Sequence, residues 1–239
     1  MAGKHPALKF FIRQFKKLSL EIILLAIIFI GCCWGLLAIA DMIFEDKNLA
    51  FDNRVFLSIR PYINDTNTKL IRAITFFGSQ NFLLPANLLL IGIFIFHIKH
   101  YRYSLMIIAV SVTSTAVLFL LKTILQRQRP LVPLISKVHG YSFPSGHTFS
   151  SLVFYGMLAY IAYKTIGNKY LKWLCIVLLF AFSFLIGFSR VYLKLHYASD
   201  VLAGFCLGII WLLLAKWLMV RTEKMIPPAS GMPDEPDSP

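Results

Sequence analysis

Acidic side chains are scarce in this chain. Asp and Glu together number 11 against 24 Lys and Arg, which leaves a formal net charge of +13. Charge of either sign is thin, at 15% of residues. A soluble domain of 239 residues would need more polar surface than that. With 58% hydrophobic residues and a mean hydropathy of +0.70, the composition is that of a polytopic membrane protein. Only four cysteines occur, Cys32, Cys33, Cys175 and Cys206, all inside apolar runs, with no CxxC and no neighbouring histidine at metal-ligand spacing. Their placement excludes a disulfide framework or a zinc site and leaves small buried hydrophobes. No internal repeat is present. Nor does the positive surplus mark a nucleic-acid binder, because the basic residues are spread among short loops between apolar segments, the pattern of membrane topology and anionic headgroups.

What the chain has in abundance is long apolar runs. Six are long enough to cross a bilayer at about 20 residues each: 20–40, 81–98, 104–121, 147–163, 173–188 and 198–218. The expected fold is therefore all-α, a polytopic membrane protein with six transmembrane helices in one bundle over residues 19–220. A basic cytoplasmic tail (1–18) precedes it, and a disordered, proline-rich and acidic cytoplasmic tail (221–239) follows. The first run follows a basic stretch, and Ala38-Ile39-Ala40 mimics a signal-peptidase site. The run exceeds the roughly 7–15 residues of a signal sequence, so a retained helix is favoured. Residues 41–68 mix charges with Phe and Leu around Pro61 and read as an external loop with an interfacial amphipathic piece. With the amino terminus inside, the turns holding Lys99/Arg102 and Lys164/Lys169/Lys172 are cytoplasmic, as the positive-inside rule asks.

Three polar clusters then fall at the opposite, outer face. They are KTILQRQRP, in which Lys122 stands seven residues before Arg129; PSGH, residues 144–147; and SRVYLKLHYASD, which carries Arg190, His196 and Asp200. Ionisable groups at a membrane boundary are costly unless paired or hydrated, so their convergence calls for a site. Lys122, Arg129 and Arg190 supply positive charge, and guanidinium groups grip phosphate oxygens in pairs. Ser145 and Gly146 open a helix, where unsatisfied N–H groups and the helix dipole favour an anion. Gly146, without a Cβ, lets the backbone come close. His196 and Asp200 stand four residues apart, on one helix face. A carboxylate on one ring nitrogen fixes the tautomer and frees the other nitrogen as a nucleophile. His147 is then available to protonate the leaving oxygen. Each cluster alone has a plainer explanation: a snorkelling anchor, a helix cap, an interfacial histidine or a first-turn carboxylate. Together, in order and on one face, they point to phosphoryl transfer.

These residues carry a resemblance. KTILQRQRP fits K-x6-R-P, PSGH fits a second motif, and SRVYLKLHYASD fits S-R-x5-H-x3-D. Together they resemble the phosphatidic acid phosphatase type 2 superfamily of membrane lipid phosphatases and soluble vanadium haloperoxidases. ITFFGSQNFLLP, before the second span, is similar to its phosphatidylglycerophosphatase B-like members. The resemblance implies an all-helical fold and metal-independent dephosphorylation through a phosphohistidine, with no cofactor. Carried over, His196 is the nucleophile, Asp200 orients it and His147 is the general acid, while Lys122, Arg129, Ser145, Gly146 and Arg190 bind the phosphoryl group. Arg127, His139 and Lys194 lie outside the matched positions. The expected substrate is a lipid with a terminal phosphate or diphosphate: phosphatidylglycerol phosphate, undecaprenyl diphosphate, phosphatidic acid or lipid A phosphate. The site is expected on the extracytoplasmic or periplasmic face of the inner (plasma) membrane. The rival readings are a lipid phosphotransferase with the same site and a non-enzymatic lipid-phosphate flippase or binding protein.

Overall fold

A computed structural model describes residues 20–99, 101–136 and 139–225. The tail expected over 1–18 lies outside the described residues. Every regular element among those described is helical. The helices are α1 (Leu20–Phe44), α2 (Ala50–Ile59), α3 (Asp65–Phe76), α4 (Gln80–Gly92, prolonged by a π-turn over Ile93–His97), α5 (Tyr101–Leu125), α6 (Gly146–Thr165), α7 (Lys169–Tyr192) and α8 (Ala198–Met225).

Their boundaries follow from local chemistry. Two starts are capped by asparagine: Asn64 Oδ1 accepts from Asn67 N (2.8 Å) to open α3, and Asn168 Oδ1 accepts from Leu171 N (3.1 Å) to open α7. α8 continues to Met225, because no helix breaker appears before Pro227-Pro228. Residues 221–225 are thus helical rather than part of the expected disordered tail, and 226–239 lie outside the described residues. The expected external loop over 41–68 contains α2, the 3-10 turn Arg60–Tyr62 and the start of α3. Charged residues there conceal the helical period: α3 buries only Ile71 and Thr75 and sends its polar face outward.

Apolar side chains point outward over much of the bundle, among them Leu20, Ile27, Leu88, Leu105, Phe119 and Val177. That is the inverse of a soluble protein and the signature of a lipid-facing surface. Five helical stretches are long and apolar enough to cross a membrane: Ile22–Phe44, Asp65–His97, Tyr101–Leu125, Lys169–Tyr192 and Ala198–Leu218. α6 is not among them, although its 20 residues span about 30 Å. It occupies the middle of the bundle, packed on α5, α7 and α8, and buries Thr148 and Ser151 beside Phe149, Leu152 and Val153. A helix shielded from lipid by its neighbours has no need of an all-apolar surface.

Small residues on α8 permit this close packing. A Cβ on Gly204 would stand 3.0 Å from the Ser145 carbonyl oxygen and 3.1 Å from Thr148 Cβ; one on Gly208 would stand 2.7 Å from Leu152 Cδ2. The pair serves packing within the bundle, as small-xxx-small faces do. Gly204→Ala should therefore push the start of α6 off α8. We expect a destabilisation of about 1–3 kcal/mol in detergent unfolding, with a loss of activity greater than that of an alanine on the lipid-facing side of α8.

Candidate active site

Among its described residues, the segment 126–145, between α5 and α6, has no helix of its own. It is held by Ser142 N donating to Arg127 O (2.7 Å) and Leu134 N donating to Leu193 O (3.0 Å). Phe143 anchors it further, packing edge-on to Phe44 with ring centroids 5.7 Å apart, beside Ala203 of α8. The site forms where this segment meets the starts of α6 and α8 and the end of α7. All three motif clusters converge there.

His196 lies in the turn between α7 and α8, 1% exposed. Its Nδ1 is 3.4 Å from Asp200 Oδ2 and 3.3 Å from Ser142 Oγ. The Asp200 Oδ2 oxygen also accepts from Tyr197 N (3.0 Å) and from Ser142 Oγ. With Nδ1 facing the carboxylate, the proton belongs on Nδ1 and the lone pair on Nε2. Nε2 lies 3.0 Å from Arg129 Nη1 and accepts from it. Burial pushes the His196 ring down to about 3; Arg129 and Arg190 deepen the shift, and Asp200 opposes it. The resting ring is therefore neutral, the form a nucleophile requires.

The cations are held by neutral oxygens. Lys122 Nζ donates to Tyr141 O (2.7 Å). Arg129 donates through Nε to Gly140 O (2.9 Å) and through Nη1 to Leu195 O (2.8 Å). Arg190, 3% exposed, donates through Nη1 to Thr75 Oγ1 (2.8 Å), and its Nε has no hydrogen-bond partner among the described residues. Burial also lowers Arg129 from its ordinary value, with Asp200 opposing. Positive charge crowded around an unpartnered buried N–H is a receptor for an anion.

PSGH forms the start of α6, with Ser145 at the N-cap position. Ser145 does not cap the helix through its side chain. Its Oγ accepts from Thr148 Oγ1 (2.9 Å), and its N–H is spent on Asp200 O (3.0 Å). The next amides, from Gly146 and His147, lack an intrahelical acceptor by position. A Cβ on Gly146 would stand 3.2 Å from Leu118 Cδ2 and 3.7 Å from Lys122 Cε, so this start sits directly against the lysine. His147 shares one electrostatic neighbourhood with Arg190, His196, Arg129 and Lys122. Gly78, in the turn before α4, lies beside it and packs against α7: a Cβ there would meet Ile186 Cγ2 at 2.4 Å, with His147 Cδ2 in ordinary contact at 3.5 Å.

All eight residues singled out in the sequence thus come together. Sequence reasoning missed Ser142, Thr75, Asp52 and Arg127. Arg127 is buried and donates to Asp200 Oδ1 (2.5 Å), Asp52 Oδ2 (2.9 Å) and Ser199 Oγ (2.8 Å). A signal existed for Arg127, a second arginine two positions before Arg129 at a membrane boundary. For Asp52, within a charged stretch read as external, there was none. His139 is exposed, while Lys194 is half-buried and, with Arg129, lines a cavity of about 270 Å³ beside the site.

The PAP2 superfamily pattern matches residues 102–224. The chain is 32% identical over 175 residues to phosphatidylglycerophosphatase B of Bacillus subtilis, covering 72% of this chain and 83% of that protein. Among solved structures it is similar to the transmembrane PAP2-type phosphatidylglycerolphosphate phosphatase of Bacillus subtilis, with a TM-score of 0.74 and 26% identity over 83% of this chain and 98% of that one. LpxE of Aquifex aeolicus superposes with a TM-score of 0.55 and 25% identity over 70% of this chain and 96% of that one. The chain belongs to the PAP2 superfamily. It is a membrane lipid phosphatase.

The neutral state of His196 has a measurable consequence. Its folded value, about 3, lies below the unfolded value of about 6.5. The stability it contributes is therefore complete above pH 6.5 and is lost as pH falls from there toward 3. In detergent, 15N-histidine NMR should show the His196 ring neutral at pH 5; a midpoint near 6.5 contradicts the geometry.

Proposed function

We propose that the protein hydrolyses the terminal phosphate of a membrane lipid through a phosphohistidine on His196. The observation that carries this reading is the His196 ring, with Nδ1 turned to Asp200 and Nε2 turned into the cation cluster. In the first step the Nε2 lone pair attacks phosphorus, the bond from phosphorus to the leaving oxygen breaks, and His147 gives that oxygen a proton. In the second, His147 takes a proton from water, whose oxygen attacks phosphorus. The P–N bond then breaks, its electrons return to His196, and inorganic phosphate leaves. Asp200 stabilises the ring while it is positively charged. Lys122, Arg129, Arg190, the Ser145 hydroxyl and the amides of Gly146 and His147 that open α6 hold the non-bridging oxygens, work that in other phosphoryl-transfer enzymes falls to metal ions. Arg129 exchanges its contact with Nε2 for a phosphate oxygen as substrate enters.

We favour a glycerophospholipid bearing a terminal phosphate, with phosphatidylglycerol phosphate as the first substrate to test and undecaprenyl diphosphate the second. The relative covering most of this chain, named for the first of these lipids, supports that order. Lateral entry between helices leaves the acyl chains in lipid while the headgroup reaches His196. The site faces the extracytoplasmic side of the cell membrane. In support, Lys164 and Lys169 lie at the ends of α6 and α7 remote from Ser145 and Arg190, as the positive-inside rule requires of cytoplasmic turns. The membrane domain over 19–220 is thus one catalytic unit.

The test is phosphate release by purified protein in detergent containing EDTA, across a panel of these lipids with and without an acceptor lipid. We expect release from phosphatidylglycerol phosphate undiminished by chelator and independent of the acceptor. His196→Ala should abolish it, and His147→Gln should slow it by about 10²–10⁴-fold. Activity destroyed by EDTA, or retained by His196→Ala, overturns the mechanism.

A further inference from the structure

Two buried charges, Asp52 and Arg127, lie outside the matched motif positions and outside the phosphate pocket. Asp52, fully buried, comes from α2, a helix that supplies nothing else to the site. Its Oδ1 accepts from Ser199 N (2.9 Å), and its Oδ2 accepts from Ser199 Oγ (2.7 Å) and Arg127 Nη2 (2.9 Å). Arg127 bridges to the reacting end, with Nη1 on Asp200 Oδ1 at 2.5 Å and its guanidinium 4.1 Å from the Tyr197 ring centroid. Both oxygens of Asp200 are thereby occupied, Oδ1 by Arg127 and Oδ2 by Ser142, Tyr197 N and the His196 ring. Burying three charges is expensive unless they are paired and hydrogen-bonded, and here every carboxylate oxygen and both terminal nitrogens of Arg127 have partners.

We infer that Asp52 and Arg127 form a positioning clamp for the nucleophile, a carboxylate–guanidinium–carboxylate–imidazole chain. In it Arg127 fixes the rotation of Asp200, and Asp52 keeps Arg127 from neutralising that carboxylate. The inference rests on the reading of His196 as nucleophile. Neither residue touches substrate; both act through Asp200. The chain carries two negative charges and one positive, so the ring sees one net negative charge behind Nδ1. The other groups facing His196 are cationic or neutral: Arg129 from the 126–145 segment, Arg190 from α7, and beyond them His147 from α6 and Lys122 from α5. The clamp is the counterweight to that positive field. It holds the ring tautomer while the cations hold phosphate.

The experiment uses the full chain in detergent and two readouts, steady-state kinetics and the 15N-NMR titration of the His196 ring. Arg127→Gln leaves two unbalanced carboxylates and a free Asp200. We expect kcat to fall about 10²-fold with KM within about threefold, and the ring midpoint to rise by at least one pH unit. Asp52→Asn/Arg127→Gln restores the charge count without the geometry: the midpoint should return toward wild type while kcat stays low. Arg127→Lys, whose ammonium reaches one carboxylate and not both, should lose about tenfold in kcat with the midpoint little changed. Where Arg127→Gln does not fold, the double variant and Arg127→Lys carry the test. Wild-type kcat in either, or an unmoved midpoint in a folded Arg127→Gln, overturns the clamp. The titration follows the ring itself, so it judges the clamp even if His196→Ala were to retain turnover.

Discussion

The structure depends on keeping positive charge uncompensated at one spot inside a membrane protein. Lys122, Arg129 and Arg190 are fixed by carbonyl oxygens of Tyr141, Gly140 and Leu195 and by the Thr75 hydroxyl, acceptors that orient a cation without cancelling it. Cations gathered this way repel one another in a medium that screens poorly. Asp200, the carboxylate whose charge reaches Lys122 and Arg129, is bonded to Arg127 and faces the His196 ring instead, and Asp52 is bonded to Arg127. The separation is spatial: a net negative charge, two carboxylates against Arg127, lies behind the His196 ring, and the Arg129 and Arg190 cations lie in front of it. An anion placed there would relieve the repulsion that the fold maintains.

Maintaining that separation sets the demands on packing. The start of α6 must lie against Lys122 on one side and α8 on the other, and the missing side chains of Gly146 and Gly204 make both approaches possible. The Ser145 amide, bonded to the Asp200 carbonyl, ties the start of α6 to the first turn of α8, which carries the carboxylate facing His196. Thr75 and Gly78 bring the α3–α4 corner up to Arg190 and His147, so even the stretch without a charged motif residue borders two residues of the site. Catalytic geometry and helix packing are here enforced by the same contacts.

Much of this was legible in the sequence, for identifiable reasons. Lys122, Arg129, Ser145, Gly146, His147, Arg190, His196 and Asp200 stand at fixed spacings at the ends of apolar runs, and a polar residue in such a place is conspicuous. Arg127 was visible but ambiguous, since one basic residue near another at a membrane boundary looks like an anchor. Asp52 was invisible: its partners Arg127 and Ser199 lie 75 and 147 residues away, and no local pattern marks a carboxylate for burial. α2 and α3 were hidden by their own polarity, which suits helices at a bundle rim. The extension of α8 past Leu218 was hidden because hydropathy marks where lipid contact ends, whereas helix propensity continues to the next proline.

The polarity of α6 bears on how the protein is made. A segment that falls short of the apolarity of the five spans settles best in the company of the neighbours that cover it. Those that cover it most, α7 and α8, are synthesised after it. Full burial of α6 therefore has to await α7 and α8, and the candidate site, which draws residues from both, is complete only once they are in place.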